Sequence, residues 1–184
     1  MTPEPLCVVV MGVSGCGKST VGRLIAEALD RPYLEGDAFH PPANVERMRA
    51  GIALSDEDRA PWLHTLAERL AQARRDGGGV VLACSALKRR YRDVLRGDVP
   101  SGGTPDLAFV HLHGTRELLE SRMAQRSGHY MPASLLASQL DALEPPQPDE
   151  LAITLDVALP PEQIAQRALA WLRDRRMAGD SGPA

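Results

Sequence analysis

A glycine-rich segment near the start of the chain has the residue types and the spacing that phosphate binding requires. Residues 12–19 read GVSGCGKS and match the pattern G-x-x-x-x-G-K-S at each fixed position. The glycines allow a tight backbone in which successive N–H groups point at a phosphate. Lys18 is expected to reach the β- and γ-phosphates, and the Ser19 hydroxyl to bind Mg²⁺. The alternative is a chance glycine-rich turn, which the complete match disfavours.

We expect the phosphates of a nucleotide to contact this whole loop and the first turn of the helix that follows it. Cys16 is interpreted as a spacer whose backbone N–H matters, and its thiol is assigned no redox role. The predicted nucleotide-binding residues are Gly12, Ser14, Gly15, Cys16, Gly17, Lys18, Ser19 and Thr20.

Two absences narrow the class of nucleotide-binding protein. Proteins that bind guanine nucleotides usually carry the motif N-K-x-D. Asn44 is the single asparagine of the chain and is followed by Val45, so the motif is missing. The apolar run at 80–83 continues into Cys84 and Ser85 instead of ending in the aspartate of an ATPase motor. A GTPase and an ATPase motor are therefore disfavoured, and the carboxylate near the magnesium ion must come from another segment.

An acidic turn after the second predicted strand is the candidate site for the group that accepts the phosphate. Ligands of open α/β sheets bind outside the carboxyl ends of the strands, so Glu35 and Asp37 can face the loop. Asp37 is predicted to hold the acceptor hydroxyl and take its proton, and Glu35 to contact Mg²⁺ through water. A solvated acidic turn is the alternative. His40 is a candidate substrate ligand or a structural cap, while His111 and His113 are interpreted as structural.

Four basic residues are candidates to bind the anionic groups of the substrates. Lys88 lies one turn past the end of the third predicted strand, near the expected site. Arg122 and Arg126 are spaced i, i+4 on a helix that leads into a possible lid, where arginines can stabilise phosphate charge. Arg59 stands alone in its segment, and a capping or ion-pair role is its alternative.

Short apolar runs alternate with amphipathic segments and would bring these groups to one edge of a sheet. Ser55 and Asp58 form a helix-start signal before the third helix. The alternation predicts an α/β fold of three layers, a parallel sheet with helices on both faces. Strands are predicted at 6–11, 32–35, 80–83, 107–112 and 151–157. Helices are predicted at 18–29, 41–50, 56–75, 86–95, 116–126, 133–143 and 160–177.

Length and composition predict a single domain at residues 1–178, built around the phosphate-binding loop, followed by a disordered tail at 179–184. A break at 127–132 marks the tip of a small lid that spans about 122–140. The net charge of −3 and the pI of about 6.0 disfavour nucleic-acid binding, and no apolar run reaches membrane-spanning length. Three cysteines without C-x-x-C spacing argue against a disulfide framework, so the cytoplasm is the expected location.

Several sequence blocks together resemble the gluconokinases, small P-loop kinases related to the shikimate and adenylate kinases. The blocks follow the order of that family and cover most of the chain, from about Leu6 to Asp156. The ACSALK and D-x-x-H-P-P blocks are far more specific than the phosphate-binding loop (P-loop) itself. The blocks are MGVSGCGKST at 11–20, GDAFHPP at 36–42, LSDEDRAPW at 54–62, ACSALK at 83–88, YRD at 91–93 and GHYMP at 128–132.

The resemblance implies phosphorylation of D-gluconate at its 6-hydroxyl, with ATP and Mg²⁺ as cofactors, by a homodimeric enzyme. It also implies the nucleoside monophosphate kinase fold, whose five-stranded parallel sheet has the order 2-3-1-4-5. Arg122 matches a residue near adenine and Arg126 a lid arginine. One departure is Glu35, where the family often has aspartate. The residues that match the sugar-acid side are Asp37, His40, Arg59 and Lys88.

Two other functions stay open on the sequence. A related kinase for shikimate or a nucleotide would share the P-loop and the acidic turn. A nucleotide-binding regulatory module without catalysis would be expected to lack Lys18, Ser19 or Asp37, and the chain carries all three. A panel of phosphate acceptors separates these possibilities.

Overall fold

The computed structural model describes residues 7–97, 107–125 and 134–179, and the side chains of the last helix up to residue 175. Strands and helices alternate along the chain, as predicted. The strands are β1 Cys7–Met11, β2 Tyr33–Glu35, β3 Val81–Ala83, β4 Leu107–His113 and β5 Ala152–Asp156. The helices are α1 Lys18–Leu29, α2 Pro42–Arg49, α3 Asp56–Arg75, α4 Arg89–Arg96, α5 Arg116–Ala124, α6 Ser134–Ala142 and α7 Pro161–Gly179. A 3₁₀ turn at Gly36–Phe39 follows β2.

The five strands form one parallel sheet in the order β2-β3-β1-β4-β5, which confirms the predicted fold class. β1 is central, since Val9 pairs with Leu82 of β3 on one side and with Phe109 of β4 on the other. The carboxyl ends of β1, β2 and β3 therefore meet at one edge of the sheet. The P-loop and the acidic turn both leave from that edge.

Helices cover both faces of the sheet because side chains of a strand alternate between its faces. Val8 and Val10 pack in the same apolar cluster as Ile25 of α1 and Ala168 of α7. Val9 belongs to a second cluster on the opposite face. That cluster contains residues of α3 and α4, namely Trp62, Leu66, Leu70, Tyr91 and Leu95.

The helix predicted at 86–95 begins three residues later than expected, at Arg89. Ala86 has a φ of 45°, in the left-handed region, and Lys88 is extended, so neither residue can belong to a right-handed helix. The prediction was wrong for these residues because the chain first runs as a loop past the end of β3. The later start places Lys88 at the boundary of the loop and α4.

A buried ion pair holds that loop against the segment before β5. The side chains of Arg92 and Glu150 are both fully buried and make two hydrogen bonds of 2.7 and 2.8 Å. Arg92 also donates to the main-chain carbonyl groups of Ala86 and Leu87. Burial by itself raises the pKa of Glu150, but hydrogen bonds from Arg92 and Arg96 lower it to about 2. The pair thus stays ionised and anchors the loop that leads to Lys88.

The Ser55 signal is confirmed as the start of α3. The backbone N–H of Asp58 donates to the Ser55 hydroxyl, and the N–H of Ser55 donates to the Asp58 carboxylate. This capping box fixes where the first turn of α3 begins. Among the helices within the described ranges, none is long and apolar enough to cross a membrane. The domain boundaries and the lid at about 122–140 remain predictions, since residues 126–133 lie outside the described part.

Candidate active site

The P-loop connects β1 to α1 and has the tight backbone that its glycines predict. Gly12, Gly15 and Gly17 all have positive φ angles, of 146°, 83° and 92°. A Cβ atom on Gly12 would lie 2.7 Å from both Cys16 Sγ and the carbonyl oxygen of Leu112, so a larger residue does not fit. The loop ends at the amino terminus of α1, whose free N–H groups favour an anion.

The side chain of Lys18 is held at the P-loop by a hydrogen bond to the backbone of the loop. Its Nζ donates a hydrogen bond of 3.1 Å to the carbonyl oxygen of Val13. The ammonium group therefore lies over the loop, where a point charge can attract terminal phosphate oxygens. Its position agrees with the role predicted from the G-K-S pattern.

Ser19, Glu35 and Tyr33 form one hydrogen-bonded group between α1 and β2. Glu35 Oε2 accepts from the Ser19 hydroxyl at 2.6 Å and from the Tyr33 hydroxyl at 2.7 Å. Burial and then the Glu35 carboxylate raise the pKa of Tyr33 well above its ordinary value. Tyr33 therefore stays protonated and keeps donating to Glu35, which directs this carboxylate toward Ser19.

This group fits Mg²⁺ by the chemistry of its atoms. Mg²⁺ prefers oxygen ligands and keeps several waters beside one or two protein oxygens and the substrate phosphates. Ser19 supplies a hydroxyl, and the adjoining Glu35 carboxylate can hold a metal-bound water. Within the described residues, no cluster of three or more His, Cys, Asp or Glu side chains could hold a metal by itself.

The acidic turn is held in place by a close approach of backbones and by a tryptophan. A Cβ atom on Gly36 would lie 2.4 Å from the carbonyl oxygen of Ala83, so only glycine fits beside β3. The indole N–H of Trp62 donates to the Gly36 carbonyl oxygen at 2.8 Å. The Asp37 side chain, which follows directly, remains 36% exposed and is open to a substrate.

His40 is buried next to Asp37. Its ring stacks on Trp62 with a centroid distance of 4.1 Å, and Nε2 lies 3.9 Å from Asp37 Oδ1. Burial and then the charge of Arg59 lower the pKa of His40 to about 4, so the ring is neutral near pH 7. Nδ1 is buried and has no hydrogen-bond partner within the described part of the chain. A neutral ring with one unused nitrogen suits a substrate hydroxyl better than a capping role.

The end of β3 lies beside both the P-loop and the acidic turn, since the N–H of Gly12 donates to the Ser85 carbonyl oxygen at 3.2 Å and Gly36 packs against Ala83. Cys84 is buried at the end of β3, and burial raises its pKa to about 12. Smaller effects on the same thiol come from the charges of Asp37, Lys18 and Glu35. The P-loop and the acidic turn are therefore neighbours beside the end of β3, and the hydrogen bond from Ser19 to Glu35 joins them.

Arg59 and Lys88 meet at the ring of Tyr91. Their charged groups lie 5.6 and 5.7 Å from the ring centroid, within cation–π range. Lys88 also pairs with the Asp56 carboxylate at 3.2 Å, and Arg59 donates to the carbonyl oxygen of Leu54. The structure thus brings together two basic residues that are distant in sequence.

Asp56 is a site residue that sequence reasoning missed. Its carboxylate contacts Arg90 and the Tyr91 hydroxyl as well as Lys88. Arg90 is 58% exposed yet still pairs with Asp56. Nothing in the sequence distinguishes Asp56 from the other acidic residues of the first turn of α3. Tyr33, in contrast, could have been found, because it shares a strand face with Glu35 two residues later.

Arg122 borders a cavity of about 370 Å³ beside the P-loop. Its Nη2 donates at 2.6 Å to the carbonyl oxygen of Val157, in the segment between β5 and α7. The size is in the range of small-ligand sites, and mixed apolar and backbone walls suit a planar base. Arg126 lies outside the described residues. The cavity is lined by Gly15, Cys16, Gly17, Thr20, Val21, Arg122, Gln125, Val157, Leu159, Pro161 and Ile164.

The fold and the site define the chain as a P-loop kinase that acts on a small acceptor. A family profile described as an AAA domain matches residues 7–146. The gluconokinase of Gluconobacter oxydans is 46% identical over 167 residues, covering 90% of each chain. The thermosensitive gluconokinase of Escherichia coli is 40% identical over 181 residues, which cover 96% of this chain and 94% of the relative. The crystal structure of a gluconokinase from Sinorhizobium meliloti is 49% identical, with a TM-score of 0.84 and coverage of 97% and 99%.

The chain belongs to the gluconokinase family. The relatives and this chain match over nearly their whole lengths, so the family assignment applies to the domain as a unit. This confirms the resemblance inferred from the sequence blocks.

Proposed function

We propose that this protein transfers the γ-phosphoryl group of ATP to the 6-hydroxyl of D-gluconate, giving 6-phospho-D-gluconate and ADP. Membership of the gluconokinase family supports the substrates. The observation that carries the proposal is the hydrogen bond of 2.6 Å from Ser19 of the P-loop to Glu35, two residues before Asp37, which joins the acidic turn to the P-loop. An acceptor hydroxyl held by Asp37 would then lie opposite the terminal phosphate held at the P-loop.

The nucleotide side consists of the P-loop and the neighbouring cavity. Backbone N–H groups of the loop and the ammonium group of Lys18 would bind the phosphates. The cavity next to Arg122 would take the adenine, with the guanidinium oriented by its hydrogen bond to Val157. We also assign Arg126 to the phosphates as a lid arginine, on the family resemblance alone.

Ser19 would bind Mg²⁺ directly, and Glu35 would bind it through water. When bound, the ion supplies neutralisation of the charge on the phosphate oxygens. The family resemblance leads us to expect an aspartate at this position. The hydrogen bond between Ser19 and Glu35 supports the assignment, because the longer side chain of glutamate also reaches the serine. Tyr33 keeps this carboxylate in place.

Asp37 would position the acceptor hydroxyl and accept its proton as the new O–P bond forms. In a loose transition state little proton transfer is needed early, so positioning is its main contribution. The neutral ring of His40 would hydrogen-bond a second hydroxyl. Lys88 and Arg59 would bind the carboxylate, since their charged groups both lie over the ring of Tyr91.

An acceptor panel tests the proposed function. Purified protein with Mg-ATP is incubated separately with D-gluconate, shikimate and nucleoside monophosphates, and formation of 6-phosphogluconate is coupled to NADP⁺ reduction. Turnover with gluconate is expected. Turnover restricted to shikimate or to nucleotides would refute the acceptor, and absence of turnover with all of them would support a regulatory module.

Two further assignments follow from the family resemblance and from cysteine usage. We propose a homodimer, which light scattering during gel filtration tests directly. We also propose a reducing, cytoplasmic location, supported by three cysteines that are all buried and form no disulfide bond.

A further inference from the structure

A hydrogen bond joins the P-loop to a helix from the other half of the chain. The backbone N–H of Ser14 donates at 2.7 Å to Gln139 Oε1, across 125 residues of sequence. Gln139 lies in the middle of α6 and is only 9% exposed. A bond in such a sheltered place is not readily replaced by water, so it constrains the loop where it is made.

The same helix also contacts the acceptor side of the site. Leu135, one turn before Gln139, packs with Met48 of α2 and with Leu54 in a small buried cluster. Residues spaced i, i+4 lie on one face of a helix. The carbonyl oxygen of Leu54 in turn accepts a hydrogen bond from Arg59. One face of α6 therefore contacts the P-loop through Gln139. Through Leu135 the same face contacts Leu54, whose carbonyl oxygen binds Arg59.

We propose that Gln139 is a positioning residue for the P-loop, and that α6 couples the nucleotide site to the acceptor site through it. The Ser14 N–H belongs to the turn that opens the loop, ahead of the residues that lead into α1. Fixing this N–H orients the following peptide groups before the phosphates arrive, which lowers the ordering cost of binding. The inference rests on the proposed function, because it assigns the acceptor to the side of Arg59.

The bond predicts a selective effect on the nucleotide. Gln139→Met keeps the length of the side chain but removes the oxygen acceptor. We expect the KM for ATP to rise about tenfold, while the KM for gluconate at saturating ATP stays within about twofold of wild type. KM does not depend on the fraction of folded enzyme, so a purely structural role would lower the maximal rate and leave both KM values unchanged. That result would overturn the positioning role.

Ser138→Ala is the matched control. Ser138 precedes Gln139 on α6, and its hydroxyl donates within the helix to the carbonyl oxygen of Leu135. Wild-type KM values are expected for this variant. An equal rise in the KM for ATP in both variants would mean that any change in α6 disturbs the loop, and would overturn a specific role for Gln139.

Binding of a non-hydrolysable ATP analogue, measured by calorimetry with and without gluconate, tests the coupling. In wild type we expect gluconate to tighten analogue binding at least about fivefold, and the analogue to tighten gluconate binding by the same factor. Leu135→Ala and Gln139→Met should each bring this factor close to one. A wild-type factor of one, or an unchanged factor in both variants, would overturn the coupling.

The outcomes also separate this inference from the proposed function. Wild-type protein that does not turn over gluconate would refute the function itself. Wild-type protein that turns over gluconate, together with a Gln139→Met variant that matches it in every constant, would refute only the role of Gln139.

Discussion

The hydroxyl of Ser19 donates a 2.6 Å hydrogen bond to the carboxylate of Glu35, and this bond ties the first turn of α1 to the end of β2. This hydrogen bond joins the P-loop to the acidic turn. It also shows how a glutamate can serve at position 35, where the family resemblance led us to expect an aspartate. A glutamate reaches the serine directly, and Tyr33 prevents the longer side chain from turning away.

Glu35→Gln is expected to weaken the use of magnesium. The amide carries no charge to orient a metal-bound water, so the Mg²⁺ concentration for half-maximal rate should rise by about tenfold or more. Steady-state rates over a magnesium titration at fixed ATP measure this. Tyr33→Phe is the control, because it removes one hydrogen bond but leaves the carboxylate, and its shift should be smaller. An unchanged titration in Glu35→Gln would exclude Glu35 from the metal site.

Lys18→Ala is expected to abolish turnover for practical purposes. Removing one preorganised positive group from developing phosphate charge costs at least about 100-fold in kcat. The KM for gluconate should change little, since Lys18 lies over the P-loop. The coupled assay measures both constants. Near-normal turnover in this variant would contradict the phosphate role of Lys18.

Asp37→Asn should lower kcat by about 100-fold with little change in ATP affinity. The amide lacks the negative charge and replaces one carboxylate oxygen by an NH₂ group, so it holds the acceptor hydroxyl less well and cannot take its proton, and catalysis is reduced more than ATP binding. Calorimetry with a non-hydrolysable ATP analogue gives the affinity, and the coupled assay gives kcat. A large loss of analogue affinity would instead assign Asp37 to the nucleotide.

Protein stability should fall as the pH drops below 6.5, because two histidines are buried in neutral form. His40 and His111 have pKa values lowered from 6.5 to about 4, first by burial and then by nearby charges, those of Arg59 on His40 and of His113 and Arg92 on His111. Between these pKa values the histidines are protonated in the unfolded chain but not in the native state. The stability that the two neutral histidines contribute is therefore fully present above pH 6.5 and is lost as the pH falls toward 4. Each histidine should remove about 2 kcal/mol from the free energy of unfolding by pH 5.

Urea unfolding at pH 7.5 and pH 5 measures this loss. His111→Gln cannot be protonated but can still hydrogen-bond Thr154, the partner of His111 Nδ1 at 3.2 Å. The loss between the two pH values should therefore shrink to about half in this variant. An identical loss in wild type and variant would mean that His111 is not protonated on unfolding in this range.

Glu150→Gln is expected to destabilise the fold by about 3–5 kcal/mol, because Arg92 would remain as a buried charge without its counter-ion. Asp149→Asn is the matched control. Asp149 pairs with Arg89 in two hydrogen bonds and links the same two segments, but both side chains are exposed. Denaturant unfolding should show little effect in the control. Equal effects of the two substitutions would contradict the importance of burial.

Several features followed from short stretches of sequence. Residues 12–19 determine their own backbone, because their glycines and the N–H groups of the following helix act within one turn. Ser55 and Asp58 likewise cap α3 through neighbouring atoms. The alternation of apolar runs predicted the parallel sheet, while the strand order came from the family resemblance.

Other predictions failed or were missing because they depend on distant partners. The start of α4 at Arg89 follows from the left-handed Ala86, whose loop is held by Arg92 and the distant Glu150. Asp56 was overlooked because three adjacent acidic residues look alike until Lys88 and Tyr91 are packed against one of them.

By itself, the sequence determined the phosphate-binding loop, the acidic turn and the family, since these depend on residues that are adjacent or in a fixed order. Only the tertiary structure decided that Glu35 binds Ser19 and that Gln139 holds Ser14. Such contacts depend on how helices pack against the sheet, and packing is set by the whole core. Local sequence preferences do not indicate which distant side chain will pack at a given position.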